Sequence, residues 1–319
     1  MIDRKSRAVE NIFGPVPSRR LGMSLGVDLM PHKTCSLDCV YCECGATTHL
    51  TLVRDDYIST GQIKAELKAV LSQSPSLDTI TFSGSGEPTL HRGIGEIIRF
   101  IRTNYPQYKV AVLTNGTLFN LPEVREQLRD VDVVKVSLDA VTTTQFDSIN
   151  RPCVGLRLAD IIEGLVAFRK TFLHQFWVEV FLVPGFNDTK TELAKIKDVL
   201  QTLNPDRVQL NALDRPGTED WVRPADSATL KKTAAYLLDA EIIGHPDAEP
   251  KDLPALTPGA VLAERLYATI KRRPCTADDI SRLLGIDMDE VGQHLDALIE
   301  KGTLIRKQMP RGIFYMVSV

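Results

Sequence analysis

A chain of 319 residues, 43% hydrophobic and 25% charged, is long enough for two ordinary domains, or for one large α/β unit with a small appendage. This composition excludes a disordered chain, a collagen-like repeat and a fold that depends on disulfides. A formal net charge of −3 supplies no global field to draw the chain onto nucleic acid or anionic lipid, so partners must be argued from local sites. The most hydrophobic stretch, Phe176 to Phe186, contains Glu179 and Pro184, and Met1 to Glu10 is charged and has no apolar h-region. No membrane association and a cytoplasmic location are expected.

In chain order, the segment Gly14-Pro15-Val16-Pro17-Ser18-Arg19-Arg20-Leu21-Gly22 leads into a first strand, Leu21 to Leu29. Ser59 with Gln62 reads as a capping box before a helix that carries Ile63, Leu67, Val70 and Leu71. Strands follow at Asp78 to Phe82, Lys109 to Leu113, Val133 to Leu138, Trp177 to Val183 and Arg207 to Leu210. The helices between them fall near Gly93 to Asn104, Pro122 to Arg129 and Leu158 to Phe172. Two more are opened by Asp188, before Leu193, Ile196, Val199 and Leu200, and by Asp226, before Leu230, Tyr236 and Leu237. Six strand-helix repeats over residues 1–240 imply parallel pairing, and with it an open or closed (β/α) barrel or a doubly wound sheet. In a barrel the chemistry sits at the C-terminal ends of the strands. Residues 241–258, with Pro246, Pro250, Pro254 and Pro258, read as a linker.

A second module is expected over residues 259–319. It comprises a helix from Val261 to Ile270, a helix capped by Thr276 through Leu284, and, after a turn at Gly285, a third helix from Asp287 to Glu300. Gly302 ends that helix, and two short strands from Leu304 to Val317 flank the turn Pro310-Arg311-Gly312. Three helices and a two-stranded wing resemble a winged-helix domain.

Four of the six cysteines, Cys35, Cys39, Cys42 and Cys44, lie within ten residues in the loop after the first strand. In a cytosolic chain such crowding points to metal binding. Thiolates are soft ligands suited to Zn or Fe–S, and spacings of three and two residues can bring three sulfurs onto one face of a cubane cluster. With a single residue between Cys42 and Cys44, both reach separate irons only awkwardly, which leaves Cys44 a bystander. A four-cysteine structural Zn site built from the same loop is the alternative.

Further candidates stand after the strands. Ser83-Gly84-Ser85-Gly86-Glu87-Pro88 is neither a P-loop nor a dinucleotide fingerprint. Its glycines permit close backbone approach, and Glu87 offers an anion for an ammonium group, or caps a turn. Asn115, Ser137 and Asp139 follow the third and fourth strands, with turn formation as their ordinary role. Asn150-Arg151-Pro152 supplies a guanidinium that pairs with a ligand carboxylate or in a surface salt bridge. Val183-Pro184-Gly185-Phe186-Asn187 and Asn211 follow the fifth and sixth strands, and His91 is a candidate proton donor or a merely exposed histidine.

The Cys-x3-Cys-x2-Cys spacing, with aromatic Tyr41 immediately before the third cysteine, resembles the signature of the radical SAM superfamily. Ser83 to Glu87 is similar to the glycine-glycine-glutamate motif that holds the amino group of S-adenosylmethionine (SAM) there, with Ser85 inserted. The resemblance implies a partial (β/α)6 barrel, a 4Fe–4S cluster on Cys35, Cys39 and Cys42, and an external electron donor of flavodoxin or ferredoxin type. It also implies SAM contacts from Tyr41, Ser83, Gly84, Gly86, Glu87, Asn115, Ser137, Asp139 and Arg151, with Val183 beside the adenine and Asn211 lining the site. Reductive cleavage of SAM would then release a 5′-deoxyadenosyl radical that takes hydrogen from a substrate. Together with the cysteine loop, Gly14 to Gly22 resembles a branch related to the wyosine base-forming enzymes of tRNA modification, which points to a nucleoside or RNA substrate.

The tail only partly discriminates between substrates. Its third helix carries Asp287, Asp289, Glu290, Asp296 and Glu300 against Lys301, which disfavours docking in a DNA groove. Lys271 to Arg273 and the wing residues Arg306, Lys307 and Arg311 could instead meet an RNA backbone, or the module could pack on the barrel. A peptide- or small-molecule-modifying enzyme that uses the tail for recognition, and a non-catalytic Fe–S or Zn regulator, are the competing readings.

Overall fold

The computed structural model describes residues 11–18, 20–243 and 262–318. It begins with a hairpin, β1 (Ile12–Ser18) and β2 (Gly22–Val27), and a two-residue parallel pair, β3 (Thr34–Cys35) and β4 (His49–Leu50), brackets the cysteine loop. Next come α1 (Thr60–Leu71), β5 (Thr79–Phe82), α2 (Ile94–Asn104), β6 (Lys109–Thr114), α3 (Pro122–Gln127), β7 (Val133–Ser137), α4 (Thr143–Ile149) and α5 (Leu158–Thr171). The unit closes with β8 (Gln175–Leu182), α6 (Lys190–Leu203), β9 (Arg207–Ala212), α7 (Ser227–Tyr236) and β10 (Glu241–Ile243).

Eight strands form one sheet in the order β1-β2-β5-β6-β7-β8-β9-β10. Only β1 runs antiparallel to its neighbour. The six expected strands are present as a parallel set, and the architecture is an α/β partial barrel.

The strands alternate between two buried faces. Val134, Val136, Phe176, Val178, Val180 and Leu182 join Ile97, Ile101, Leu165, Phe168, Ile196 and Leu200 of the helices in one core. The opposite face is smaller and mixed. Leu21, Ala111, Val133 and Trp177 plug one level of it. Beside them Lys135 Nζ lies 2.9 Å from Glu179 Oε1, and Arg20, from the β1–β2 turn, pairs with the other carboxylate oxygen.

In the barrel unit β1, the short pair β3 and β4, α4 and β10 escaped the sequence reading. β1 contains Pro15 and Pro17, which cannot donate to a ladder and are tolerated here because the strand is at the sheet edge. β10 has three residues and starts where the linker was expected. α4 is seven residues long, and its N-cap makes no side-chain hydrogen bond.

Two caps also differ from expectation. Ser59 makes no side-chain cap bond; the Asp56 carboxylate instead accepts from Thr60 N and Oγ1, at 3.1 and 2.7 Å. α6 is capped by Thr189, because Asp188 is spent on Gly185 N at 2.9 Å. The linker prolines, Arg19 and Val261 lie outside the described residues.

The tail comprises α8 (Leu262–Arg272), β11 (Cys275–Thr276), α9 (Ala277–Leu284), α10 (Met288–Glu300), β12 (Leu304–Met309) and β13 (Gly312–Val317). Its strands form an antiparallel sheet ordered β11-β13-β12, one strand more than expected, over a separate core that includes Leu266, Ile270, Ile280, Val291 and Leu295. Thr276 and Asp279 close a capping box at the start of α9.

The module packs on the barrel, and the wing cations are used to fasten it. Arg311 is bidentate to Asp279, at 2.8 and 3.0 Å, and lies 3.1 Å from Asp214. Lys307 pairs with Asp220, and Arg306 with Asp296 of the tail itself. Arg215, beyond β9, is buried and donates to Pro274 O at 2.6 Å and to Asp279 Oδ2 at 3.0 Å. Asp279 therefore sits between two guanidiniums that outweigh its burial and hold its carboxyl well below the usual range. Removing one partner of such a buried arrangement costs about 3–5 kcal/mol. Asp279→Ala is expected to release the tail, seen as accelerated cleavage between the two modules in limited proteolysis while the barrel fragment persists.

Candidate active site

The strand ends on one rim of the sheet converge on the cysteine loop. After β2, Asp28 accepts from Ser85 N and Oγ, at 2.9 and 2.7 Å. That contact seats the glycine loop, and only glycines fit there. Gly84 has φ +152°, and a Cβ on it would stand 2.3 Å from the Asp28 carboxyl carbon; one on Gly86 would meet Thr34 O at 1.9 Å. Ser83 fixes the start of the loop through its N–H to Val27 O at 3.1 Å.

Glu87 is fully enclosed. One oxygen accepts from Thr89 N, Thr89 Oγ1 and Thr114 Oγ1, at 3.0, 2.6 and 2.6 Å, and the other from Asn115 N at 2.7 Å. Its carboxylate thus caps the short 3-10 turn Pro88–Leu90 and ties β5 to β6, as the turn-capping reading of the sequence had it. Burial raises its pKa despite these bonds.

Each of the first three cysteines receives a different polar donor. Asn115 Nδ2 lies 3.6 Å from Cys35 Sγ, Asn150 Nδ2 lies 3.4 Å from Cys39 Sγ, and Lys33 Nζ lies 2.9 Å from Cys42 Sγ. Burial pushes the Cys35 thiol up to about 12 and Cys39 well above its usual range, so neither is a free nucleophile; they give up protons readily only to a metal. Cys42 is driven the other way, toward thiolate, by the Cys44 thiol and by Lys33.

Cys44 lies against Cys42 and also has partners outside the loop. Its thiol donates to Arg272 O at 3.2 Å and lies 3.6 Å from Gly84 O, so it bridges the tail and the glycine loop. A four-sulfur Zn knuckle is not formed, and among the described residues no group of three His, Cys, Asp or Glu closes on a single-ion site. Three soft sulfurs, each with its own N–H donor, suit a cluster larger than one ion.

Asp139, after β7, is 3% exposed and organises the opposite wall. It accepts from Tyr41 OH, from Asn150 Nδ2 at 2.8 Å and from Phe181 N at 2.8 Å. The Tyr41 ring stacks on Phe181 with centroids 3.8 Å apart. Asn150 therefore links the carboxylate to Cys39. Val183 is buried and held by its N–H to Asn187 Oδ1 at 2.8 Å, while Asn187 Nδ2 reaches Asp139 O and Phe181 O at 2.8 and 2.7 Å. Ser137 lines a small recess with Asn115, Asp139 and Asn150.

Two expected residues face other partners. Arg151 is ion-paired with Glu219 at 2.5 Å and lies 3.9 Å from Asp38 of the cysteine loop. Asn211 turns its Oδ1 onto Ala212 N at 3.0 Å. The reading missed Lys33, Asn150, Phe181 and Asp28. Lys33 was signalled by its place two residues before Cys35, and Asn150 by its place beside Arg151.

His91 is buried, not exposed. Its Nε2 contacts Ile58 O at 2.7 Å and its Nδ1 accepts from Gly93 N at 3.1 Å, an arrangement that suits the neutral ring and withdraws it as a proton donor. Burial lowers its pKa below the ordinary histidine value. The unfolded chain therefore takes up a proton first as pH falls through about 6.5, and stability present above that pH is lost below it, by up to about 1.4 kcal/mol per pH unit. His91→Gln is expected to flatten this part of the pH dependence in urea titrations between pH 7 and 5.

A family model of the radical SAM superfamily matches residues 29–196, from the end of β2 into α6. The chain belongs to the radical SAM superfamily. It is accordingly an enzyme of the class that uses a 4Fe–4S cluster and SAM. This radical SAM chain is 30% identical over 305 residues to a UPF0026 protein of Helicobacter pylori, a match that covers 95% of this chain and 96% of that one. It is 33% identical over 322 residues to a Brachyspira hyodysenteriae protein named GTPase Obg, covering 97% of this chain but 45% of the relative. The chain thus spans less than half of that protein. A GTP 3′,8-cyclase of Streptomyces coelicolor is 30% identical over 156 residues, covering 48% of this chain and 43% of the cyclase.

Proposed function

We propose that Cys35, Cys39 and Cys42 hold the 4Fe–4S cluster and that the surrounding strand ends hold SAM, for hydrogen abstraction from a nucleoside or a tRNA base. One observation carries the assignment of the ligands: three sulfurs each take one N–H donor, from Asn115, Asn150 and Lys33, while the fourth sulfur of the loop, beside Cys42, donates to the Arg272 carbonyl. The chemistry supplied by the bound cofactors is one-electron cleavage of SAM to methionine and a 5′-deoxyadenosyl radical, which takes hydrogen from the substrate.

The protein's own residues position and enclose. Gly84 and Gly86 let the backbone at Ser83 approach the ligand, with Glu87 keeping that loop rigid. Asp139, Tyr41 and Asn115 form the polar rim, joined by Ser137, and Val183 provides an apolar edge beside the adenine. Asn211 lines the far side, and Arg151 reaches SAM by exchanging Glu219 for the ligand's carboxylate.

The nucleoside reading is supported by the likeness of Gly14 to Gly22 and the cysteine loop to tRNA-modifying enzymes, and by the match to a cyclase named for GTP. The order α8-β11-α9-α10-β12-β13 supports a winged-helix fold for the tail. Because its basic wing is paired with Asp214, Asp220 and Asp279, the tail is read as a cover for the barrel rim ahead of an RNA grip. A cytoplasmic setting with a flavodoxin or ferredoxin as reductant completes the proposal. No described helix is long and apolar enough to cross a membrane.

The test is anaerobic turnover of reconstituted protein with SAM and dithionite, measuring 5′-deoxyadenosine alone and with GTP, other nucleosides or unmodified tRNA. Acceleration by one of these supports the substrate class. Acceleration only by a peptide or a small non-nucleoside acid overturns it.

A further inference from the structure

Lys33 is 3% exposed, yet among the described residues no carboxylate pairs with its ammonium. Its single hydrogen bond among the described residues is to Cys42 Sγ at 2.9 Å. A lysine is seldom so enclosed unless an anion compensates it. The backbone of Lys33 has a separate duty: its carbonyl accepts from Thr48 N and His49 N, at 3.1 and 3.0 Å, and pins the cysteine loop whatever the side chain. The side chain is thus left with one environment, the sulfurs.

Those sulfurs are not equivalent. Cys35 and Cys39 take hydrogen bonds from neutral amides, Asn115 and Asn150, whereas Cys42 takes one from a positively charged ammonium. A cubane held by three thiolates is an anion, and reduction adds one more negative charge. Hydrogen bonds and charge at the sulfurs set the potential of such clusters. A fixed cation in a low-dielectric site favours the reduced form.

We propose that Lys33 sets the reduction potential of the cluster by placing its ammonium against the Cys42 sulfur, so that the electron needed for SAM cleavage can be accepted from a cellular donor. The inference rests on Cys35, Cys39 and Cys42 being the ligands. It assigns Lys33 a role apart from binding SAM or substrate.

The experiment uses the full chain, reconstituted anaerobically without SAM. It measures iron and sulfide content, and the midpoint potential by dye-mediated titration followed by electron paramagnetic resonance. Lys33→Met and Lys33→Gln are expected to lower the ratio of reduced to oxidised cluster at a fixed potential at least tenfold, about 59 mV for one electron, while Lys33→Arg stays within threefold of the unaltered protein. Wild-type potentials in the Met and Gln variants overturn the proposal, as does an Arg variant that shifts as far as Met, because then shape and not charge matters.

Should Met and Gln fail to load iron while Arg loads fully, Lys33 serves to bind the cluster and the proposal that it tunes the potential is overturned. Failure of all three overturns it in favour of a packing role. An unaltered protein that binds no iron overturns the ligand assignment itself, separately from the inference about Lys33.

Discussion

Cys39→Ala is expected to abolish both the brown chromophore of the reconstituted protein and its release of 5′-deoxyadenosine, a loss of at least about three orders of magnitude, or about 4 kcal/mol of barrier. Cys39 sits between two levels of the site. Its sulfur receives Asn150, and Asn150 is anchored by Asp139, which also gathers Tyr41 and the Phe181 backbone. Cys44 does not stand in its place, since it is held beside Cys42 by contacts to the carbonyls of Gly84 and Arg272. Cys44→Ser is the matched control, and it is expected to keep the chromophore and most of the cleavage. The reverse pattern, with cleavage surviving Cys39→Ala and lost in Cys44→Ser, would move the cluster onto Cys44. Absorbance near the thiolate-to-iron band and chromatography of 5′-deoxyadenosine read the two arms independently.

The second large effect is expected at Asp139. Its carboxylate is the shared acceptor for three donors in a site with little access for water, and an unsatisfied buried donor costs about 1–3 kcal/mol. Burial also raises the Asp139 pKa despite its hydrogen bonds, so the folded protein bears a penalty for keeping this group charged, and its removal recovers part of the loss. Asp139→Ala should therefore destabilise by about 2–4 kcal/mol, toward the lower end of the summed donors. Asp139→Asn should cost less, since its amide oxygen still serves Phe181 N. Urea unfolding checks the stability, and the iron content of the folded variant shows whether Asn150 still supports Cys39 once its own anchor is gone. Equal stability of the Ala variant and the unaltered protein would remove Asp139 from the framework of the site.

Much of this was legible in the sequence, for physical reasons that differ from element to element. The six parallel strands announced themselves because buried strands need predominantly apolar, β-branched runs such as Val133 to Val136 and Phe176 to Leu182, interrupted only by Lys135 and Glu179, which pair with each other. Edge strands carry no such requirement, and β1, with two prolines, and the three-residue β10 passed unseen. The cysteines were visible through their spacing, and the demotion of Cys44 followed from the single residue after Cys42.

The pairing of the sulfurs with Asn115 and Asn150 was not legible, because these reach sulfurs 80 and 111 residues away, and sequence spacing says nothing about contacts of that range. The basic wing was noticed as charge but not as glue. Its acid partners Asp214 and Asp220 lie in the loop after β9, and the pairing exists only once the two modules meet.

The bond from Cys44 to the Arg272 carbonyl joins residues 228 positions apart. Ribosomes add about 5–20 residues each second, so about 11–46 seconds separate synthesis of the cysteine loop from arrival of the segment that covers it. Through that interval the Cys44 thiol of the nascent chain has no Arg272 carbonyl to donate to, so the contact that ties the cysteine loop to the tail is among the last to form.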